Sequence, residues 1–274
     1  MTMPSLPAVG AAMRIAALPT YREWLLGEQR DLEIQDPINP AVLDGDWRPL
    51  IKQAREYLNG HTGRRGIHGP FDGLQIASRD PKVRAVATER LKQGLDFGAE
   101  IGATHMVVHS PFMFFGSPWL AHTEAFDGVV QVEYAHATLD SVVEKATSLG
   151  CTIVIEGIQD KRSGPLLDLI RSFNSPFVRS SIDVGHAYLM QTVGGEPPDQ
   201  WVRDAGPLLE HLHLQDSDGQ YDRHWQPGVG AINWFALFEA LSLLAQKPRL
   251  IIEVRKTEAI GLAADYLVRA GYTR

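Results

Sequence analysis

The chain contains one cysteine, Cys151, so an intrachain disulfide is excluded. Its place at the head of an apolar run reads as a buried, inert thiol rather than a nucleophile. No apolar run approaches the roughly 20 residues that a membrane span requires. Positive charge is in deficit, with 26 Lys and Arg against 33 Asp and Glu. The resulting formal charge of -7 argues against a nucleic-acid partner, because phosphate binding calls for a basic face. The basic residues near the apolar-run ends (Lys161, Arg162, Arg223, Arg255, Lys256) are scattered, enough for one phosphate or carboxylate but thin for a duplex. Residues 1–12 lack the basic start and long apolar core of a signal peptide and read as a loose tail. Internal repeats, low-complexity tracts and an inter-domain linker are also lacking. The expectation is a cytosolic protein with one domain over residues 13–274.

What is present is an alternation of strand and helix signals from end to end. Candidate strands fall at 13–18, 31–35, 65–68, 106–109, 152–156, 178–183, 211–214 and 250–254. Eight short, nearly all-apolar strands separated by helices predict a single (β/α)8 barrel, and 274 residues suit it. The best helix signal starts at Asp80-Pro81, an N-cap followed by a first-turn proline. It continues through Val83, Val86, Ala87, Leu91 and Leu95 and stops at Gly102. Further helices are expected over 124–149, 232–244 and 259–270, with short, weakly signalled ones at 21–28 and around 200–204.

Several strands end on residues that can bind metal. They reach His109, Glu156, Asp183, His213 and Glu253, with His186 three residues beyond Asp183. In a parallel barrel all strand ends of one kind meet at one mouth. Three carboxylates and several imidazoles gathered there would repel or stay unsatisfied unless a cation neutralised them. Glu156, Asp183, His213 and Glu253 lie on four adjacent strands, and three carboxylates with one imidazole suit a divalent ion such as Mn, Co, Mg or Zn. His68, His109, His186, Asp222 and His224 form a second set, either additional metal ligands or hydrogen-bonding partners of substrate hydroxyls. His61, His105, His122, His136 and His211 are read as structural, with His211 expected to face the helices. The loop after the fourth strand is aromatic (Phe112, Phe114, Phe115, Trp119) and suits either a wall over the substrate or a packing surface, including that of a homodimer.

With these residues in view, the chain resembles the xylose-isomerase-like TIM-barrel superfamily, which holds sugar and sugar-phosphate isomerases and epimerases together with AP endonucleases of the endonuclease IV type. The resemblance runs from about Met13 to the C-terminus. It is carried by His68-Gly69-Pro70, His109-Ser110-Pro111, Ile155-Glu156, Asp183-Val184-Gly185-His186, His211-Leu212-His213-Leu214-Gln215-Asp216, Pro227-Gly228-Val229-Gly230 and Ile252-Glu253-Val254. In the epimerase-type members it implies one divalent ion on Glu156, Asp183, His213 and Glu253. There Glu156 and Glu253 would be the acid/base pair working through a metal-stabilised enediolate, and His186 would contact a substrate oxygen. In the endonuclease IV type it implies three zinc ions on nine ligands, which fall on His68, His109, Glu156, Asp183, His186, His213, Asp222, His224 and Glu253. The expected function is therefore a metal-dependent isomerase or epimerase of a small carbohydrate. A phosphoester hydrolase with two or three zinc ions is the alternative, and a non-catalytic barrel a third class. Phe112 and Arg223 join the expected substrate contacts.

Overall fold

The computed structural model describes residues 6–112 and 128–274. Eight strands form a closed, all-parallel barrel in chain order. They are β1 (Gly10–Met13), β2 (Leu32–Ile34), β3 (Arg65–His68), β4 (His105–His109), β5 (Thr152–Gly157), β6 (Val178–Asp183), β7 (Leu209–Leu214) and β8 (Arg249–Ile252). The first strand begins and ends ahead of its expected 13–18. Small residues, Gly10-Ala11-Ala12, give a weak strand signal, and the stronger apolar residues that follow, Ile15 and Leu18, belong to a 3-10 turn and the start of a helix. The helix over Pro81–Glu100 is capped as the sequence suggests, with the Asp80 side chain accepting from Lys82 N at 2.8 Å. Gly102 follows it at φ +70°, a backbone that favours glycine. Where one short helix was expected around 200–204, two occur, Val184–Thr192 and Pro198–Ala205. Phe114, Phe115, Trp119 and His122 lie outside the described residues. Among the described residues no helix is long and apolar enough to cross a membrane.

Period-two alternation divides every strand between two environments. Outward residues such as Ile34, Ile67, Met106, Ile153, Ile155, Leu212 and Ile252 join the helices in one buried apolar cluster, with Leu91, Leu95, Leu139, Leu166 and Leu237 facing them. Each such side chain contributes roughly 1.5–3 kcal/mol on burial. The inward residues form the barrel's filling. The interior of such a barrel is ordinarily packed with branched apolar side chains. Here Val107, Val154 and Ile251 share it with Glu33, His105, Ser181 and His211, all four fully buried. His211, expected to face the helices, lies inside. Residues two apart on a strand share a face, so His211 follows His213 inward, and their rings meet edge to face at 4.6 Å.

Another buried carboxyl braces the rim. Asp160, just after β5, accepts from Ser110 Oγ at 2.8 Å and Ile158 N at 3.0 Å. Burial pushes its carboxyl up to about 7, with the hydrogen bonds pulling the other way. The folded chain thus holds this proton more tightly than the unfolded chain does. The associated stability is present in full below the unfolded value near 4 and is lost as pH rises through about 7. An Asp160→Asn variant does not titrate there. Its melting temperature, compared with that of the parent chain, is expected to gain several degrees between pH 5 and pH 8, and a pH-independent difference would contradict the assignment.

Candidate metal centre and active site

Asp183 and Glu253 are each held by one oxygen and present the other. Asp183 closes β6 and caps the helix Val184–Thr192, its Oδ1 accepting from His186 N at 2.8 Å and from Gln215 Nε2 at 3.0 Å. Its Oδ2 is buried without a hydrogen-bond partner. Gly185 makes this arrangement possible, since a Cβ there would stand 2.2 Å from the Gln215 amide carbon. Glu253, one residue past β8, accepts from Gln35 Nε2 through Oε1 at 2.7 Å and turns Oε2 toward His213 Nδ1 at 3.3 Å. Glu156 on β5 brings Oε2 within 2.9 Å of that same His213 nitrogen, and Oε1 within 3.5 Å of His186 Nδ1. His213 on β7 is tied from behind, its Nε2 lying 2.9 Å from Glu33 Oε1.

Glu156, Asp183 and His213 offer ligand atoms that all lie within 4.8 Å of one another. Glu156 Oε2, Asp183 Oδ2 and His213 Nδ1 are all buried atoms lacking a hydrogen-bond partner. Buried polar atoms are rarely left so, and several aimed at one another suit a cation between them. Two or three oxygens with one imidazole nitrogen form a donor set that fits a divalent ion of the Mn, Co, Mg or Zn type.

A second group shares Asp183 with the first. Asp183, His186 and His224 also offer atoms within 4.8 Å of one another. Asp222 lies between the two imidazoles, 3.4 Å from His186 Nε2 and 3.1 Å from His224 Nε2. His224 adopts φ +47°, unusual for a residue with a side chain, and its carbonyl accepts from Arg255 N at 3.0 Å. His68, His109, Asp222 and Glu253 belong to none of the ligand groupings found among the described residues. They line the mouth instead: the His68 ring lies parallel to that of His213 at 5.8 Å, and Phe71 stacks on His109 at 4.1 Å. His68 Nδ1 is 2.9 Å from the Gly69 carbonyl, which can only accept, so Nδ1 carries a proton and, in the neutral ring, Nε2 is the acceptor.

The fields of these groups are strong. Burial works against charge on His213, but Glu253, Glu33 and Glu156 outweigh it and hold the imidazole well above its ordinary value. Asp183, Asp222 and Glu156 do the same for His186. His224 is raised to about 9, the Asp222 hydrogen bond and the charge of Glu253 overcoming burial. Glu156 is held well below the carboxylate range because His213 and His186 outweigh its burial, whereas burial leaves Asp183 raised. His109 is pushed down to about 3, first by burial and then by its neighbour His68.

A cavity of about 1590 Å³ opens above these groups. His68, His109, Glu156, His186, Asp222, His224 and Glu253 line it together with Tyr21, Gln35, Phe71 and Tyr134. Two expected substrate contacts are not brought to it. The Arg223 guanidinium is engaged by Asp218 at 2.8 Å and stacks on Tyr221 and Trp225. Phe112 is buried in the outer apolar cluster. Sequence reasoning in turn missed Glu33, Gln35, Gln215 and Phe71. Glu33 had a usable signal, a charged residue alternating with apolar neighbours in Leu32-Glu33-Ile34. Gln215 had another, since it continues the inward face of His211 and His213.

The family model described as "Xylose isomerase-like TIM barrel" matches residues 32–270, and the chain belongs to that family. An uncharacterized protein of Methanocaldococcus jannaschii is 24% identical over 211 residues, covering 74% of this chain and 68% of its own. A ketose 3-epimerase of Arthrobacter globiformis is 22% identical, over 68% of this chain and 61% of its own. A fructoselysine 3-epimerase of Escherichia coli O157:H7 is 24% identical, over 55% and 52%. Among solved structures, the TTHB071 protein from Thermus thermophilus, soaked with ZnCl2, superposes with a TM-score of 0.74 at 27% identity, covering 97% of this chain and 99% of that one. A D-tagatose 3-epimerase-like protein superposes at 0.77 with 20% identity, over 96% of each chain, a likeness of fold.

A divalent ion entering this cluster must displace protons from imidazoles held above their ordinary values. Titration of Co2+ or Zn2+ at pH 7 in buffers of different ionisation enthalpy is expected to show proton release. The apparent affinity should climb with pH through the neutral range, as His213 gives up its proton above its ordinary value. An affinity that stays flat between pH 6 and 9 would contradict this description of the site.

Proposed function

We propose that this chain is a divalent-metal-dependent isomerase or epimerase of a small sugar, or of a related polyol bearing a carbonyl, working in the cytosol. The observation that carries the reading is the convergence of Glu156 and Glu253, both lining a large cavity, on the single nitrogen Nδ1 of His213 at 2.9 and 3.3 Å. The names of two relatives, a ketose 3-epimerase and a fructoselysine 3-epimerase, support the same reaction class.

The residues that would hold the ion are Glu156, Asp183, His213 and Glu253. When bound, a divalent ion polarises a carbonyl and its neighbouring hydroxyl, acidifying the C–H between them. The chain supplies the remaining chemistry. One glutamate takes the C–H proton, leaving an enediolate, and a proton then returns. Return by the other glutamate to the opposite face of the same carbon gives epimerisation, and return to the adjacent carbon gives aldose–ketose exchange. His186, held by Glu156 and Asp222, donates to a substrate oxygen, and His68 Nε2 accepts from a hydroxyl. Phe71 offers an apolar surface to the carbon chain beside His109.

A second reading has one observation in its favour, the Asp183–His186–His224 group with Asp222 beside it, which suits a second ion and hence a phosphoester hydrolase with two or three zinc ions. The deficit of positive charge tells against a duplex as its substrate. Incubation with a panel of ketoses and aldoses in deuterated water, followed by NMR, separates the two. At least one sugar is expected to lose a carbon-bound proton signal. Glu156→Gln and Glu253→Gln should each slow that exchange by about 10²–10⁴-fold. Undiminished exchange in both variants would rule out the two-glutamate scheme, and hydrolysis of a phosphoester with no exchange on any sugar would favour the second reading.

A further inference from the structure

We propose that Glu33, in the barrel interior, is the positioning residue that fixes His213 as an Nδ1 ligand, by accepting a hydrogen bond from its Nε2 inside a three-imidazole cluster. The proposal rests on the metal-centre reading above and extends it one layer inward. Glu33 is the central residue of β2, is fully buried, and touches none of the cavity. Its Oε1 lies 2.9 Å from His213 Nε2. Its Oε2 faces His211 Nε2 at 3.1 Å and His105 Nε2 at 3.4 Å. A carboxylate deep in a protein needs partners, and those of Glu33 come from β4 and β7: Oε1 is hydrogen-bonded to His213, while Oε2, His211 Nε2 and both His105 nitrogens are buried without a hydrogen bond.

The geometry has a direct consequence for His213. An ionised carboxylate can only accept, so Glu33 keeps a proton on Nε2, and Nδ1, facing Glu156 and Glu253, is the nitrogen that would give up its proton to take an ion. The ring has little freedom to turn over, with His68 parallel to it on one side and His211 edge-on at 4.6 Å. A carboxylate behind an imidazole fixes its tautomer and raises its strength as a ligand. The surrounding interior is shaped for the cluster. Gly66 on β3 has no side chain, and a Cβ there would stand 2.0 Å from the His105 ring. His211 is oriented by its other nitrogen, with Nδ1 2.8 Å from Ser181 Oγ. Four strands thus give up apolar filling for a polar layer that meets Glu156 and Glu253 through the His213 ring.

The test uses the metal-free full chain titrated with Co2+ by calorimetry, with the Co2+ absorption bands recorded alongside. Glu33→Ala is expected to weaken Co2+ binding by about 10–100-fold and to shift the bands. Glu33→Gln, whose amide oxygen still accepts from Nε2, should recover part of the loss. Ser181→Ala, which disturbs the same layer by removing the hydrogen bond to His211, should stay within about twofold of the parent chain. A folded Glu33→Ala chain that binds Co2+ as tightly as the parent, with unchanged bands, overturns the proposal. Should that variant not fold, 15N NMR of the histidine-labelled parent with Zn2+ decides instead. A protonated Nε2 and a metal-shifted Nδ1 for His213 support the proposal, and the reverse assignment overturns it. Failure of the sugar-exchange reading looks different: Co2+ affinity would still depend on Glu33 while no sugar exchanged a proton.

Discussion

The structure turns on the repulsion among carboxylates that strand ends force together. A parallel barrel sends all its strands to one mouth, and here β5, β6 and β8 each deliver a carboxylate while β7 delivers an imidazole between them. Burial makes this expensive, and the protein meets the cost with neighbours rather than solvent. Gln35 takes one oxygen of Glu253, Gln215 and a helix N-terminus take one oxygen of Asp183, and Glu33 takes the rear nitrogen of His213. What remains on the inner side is a set of atoms with no partner but each other. Their freedom, not their mere proximity, is the argument for a cation.

The supports are as informative as the ligands. Gln35 follows β2, Gln215 follows β7, and Gly185 is small because Gln215 needs its space. Beneath them the interior layer of Glu33, His105 and His211 replaces part of the apolar filling that usually stabilises such a barrel. A buried network of this kind is costly when half satisfied, and here Glu33 Oε2, His211 Nε2 and both His105 nitrogens have no hydrogen-bond partner. Its cost is easiest to understand if rigidity of the His213 ring is what the fold gains.

Much of this was legible in the chain itself, and the reasons are physical. The strand ends stood out because an apolar run that stops on a carboxylate or imidazole is conspicuous; Glu156, Asp183 and His213 offer atoms within 4.8 Å of one another, and Glu253 reaches His213 at 3.3 Å. What escaped notice was polar but flanked by apolar residues on strands too short to show their period. Glu33 sits in a three-residue strand, and His211 was assigned to the wrong face although it lies two residues from His213. Side chains with two plausible employers were also misassigned. Arg223 is taken by Asp218 and the flanking aromatics, and Phe112 by the outer core, facts that depend on loop geometry invisible in spacing. The first strand was displaced because Gly10, Ala11 and Ala12 carry little strand signal even where the barrel requires them.

Anomalous diffraction from crystals soaked in Co2+ tests the central claim most directly. The account predicts a peak within coordination distance of Glu156, Asp183, His213 and Glu253, with His213 approached through Nδ1. A soaked crystal with no anomalous density among these four side chains, or with His213 turned so that Nε2 faces the cavity, would contradict it.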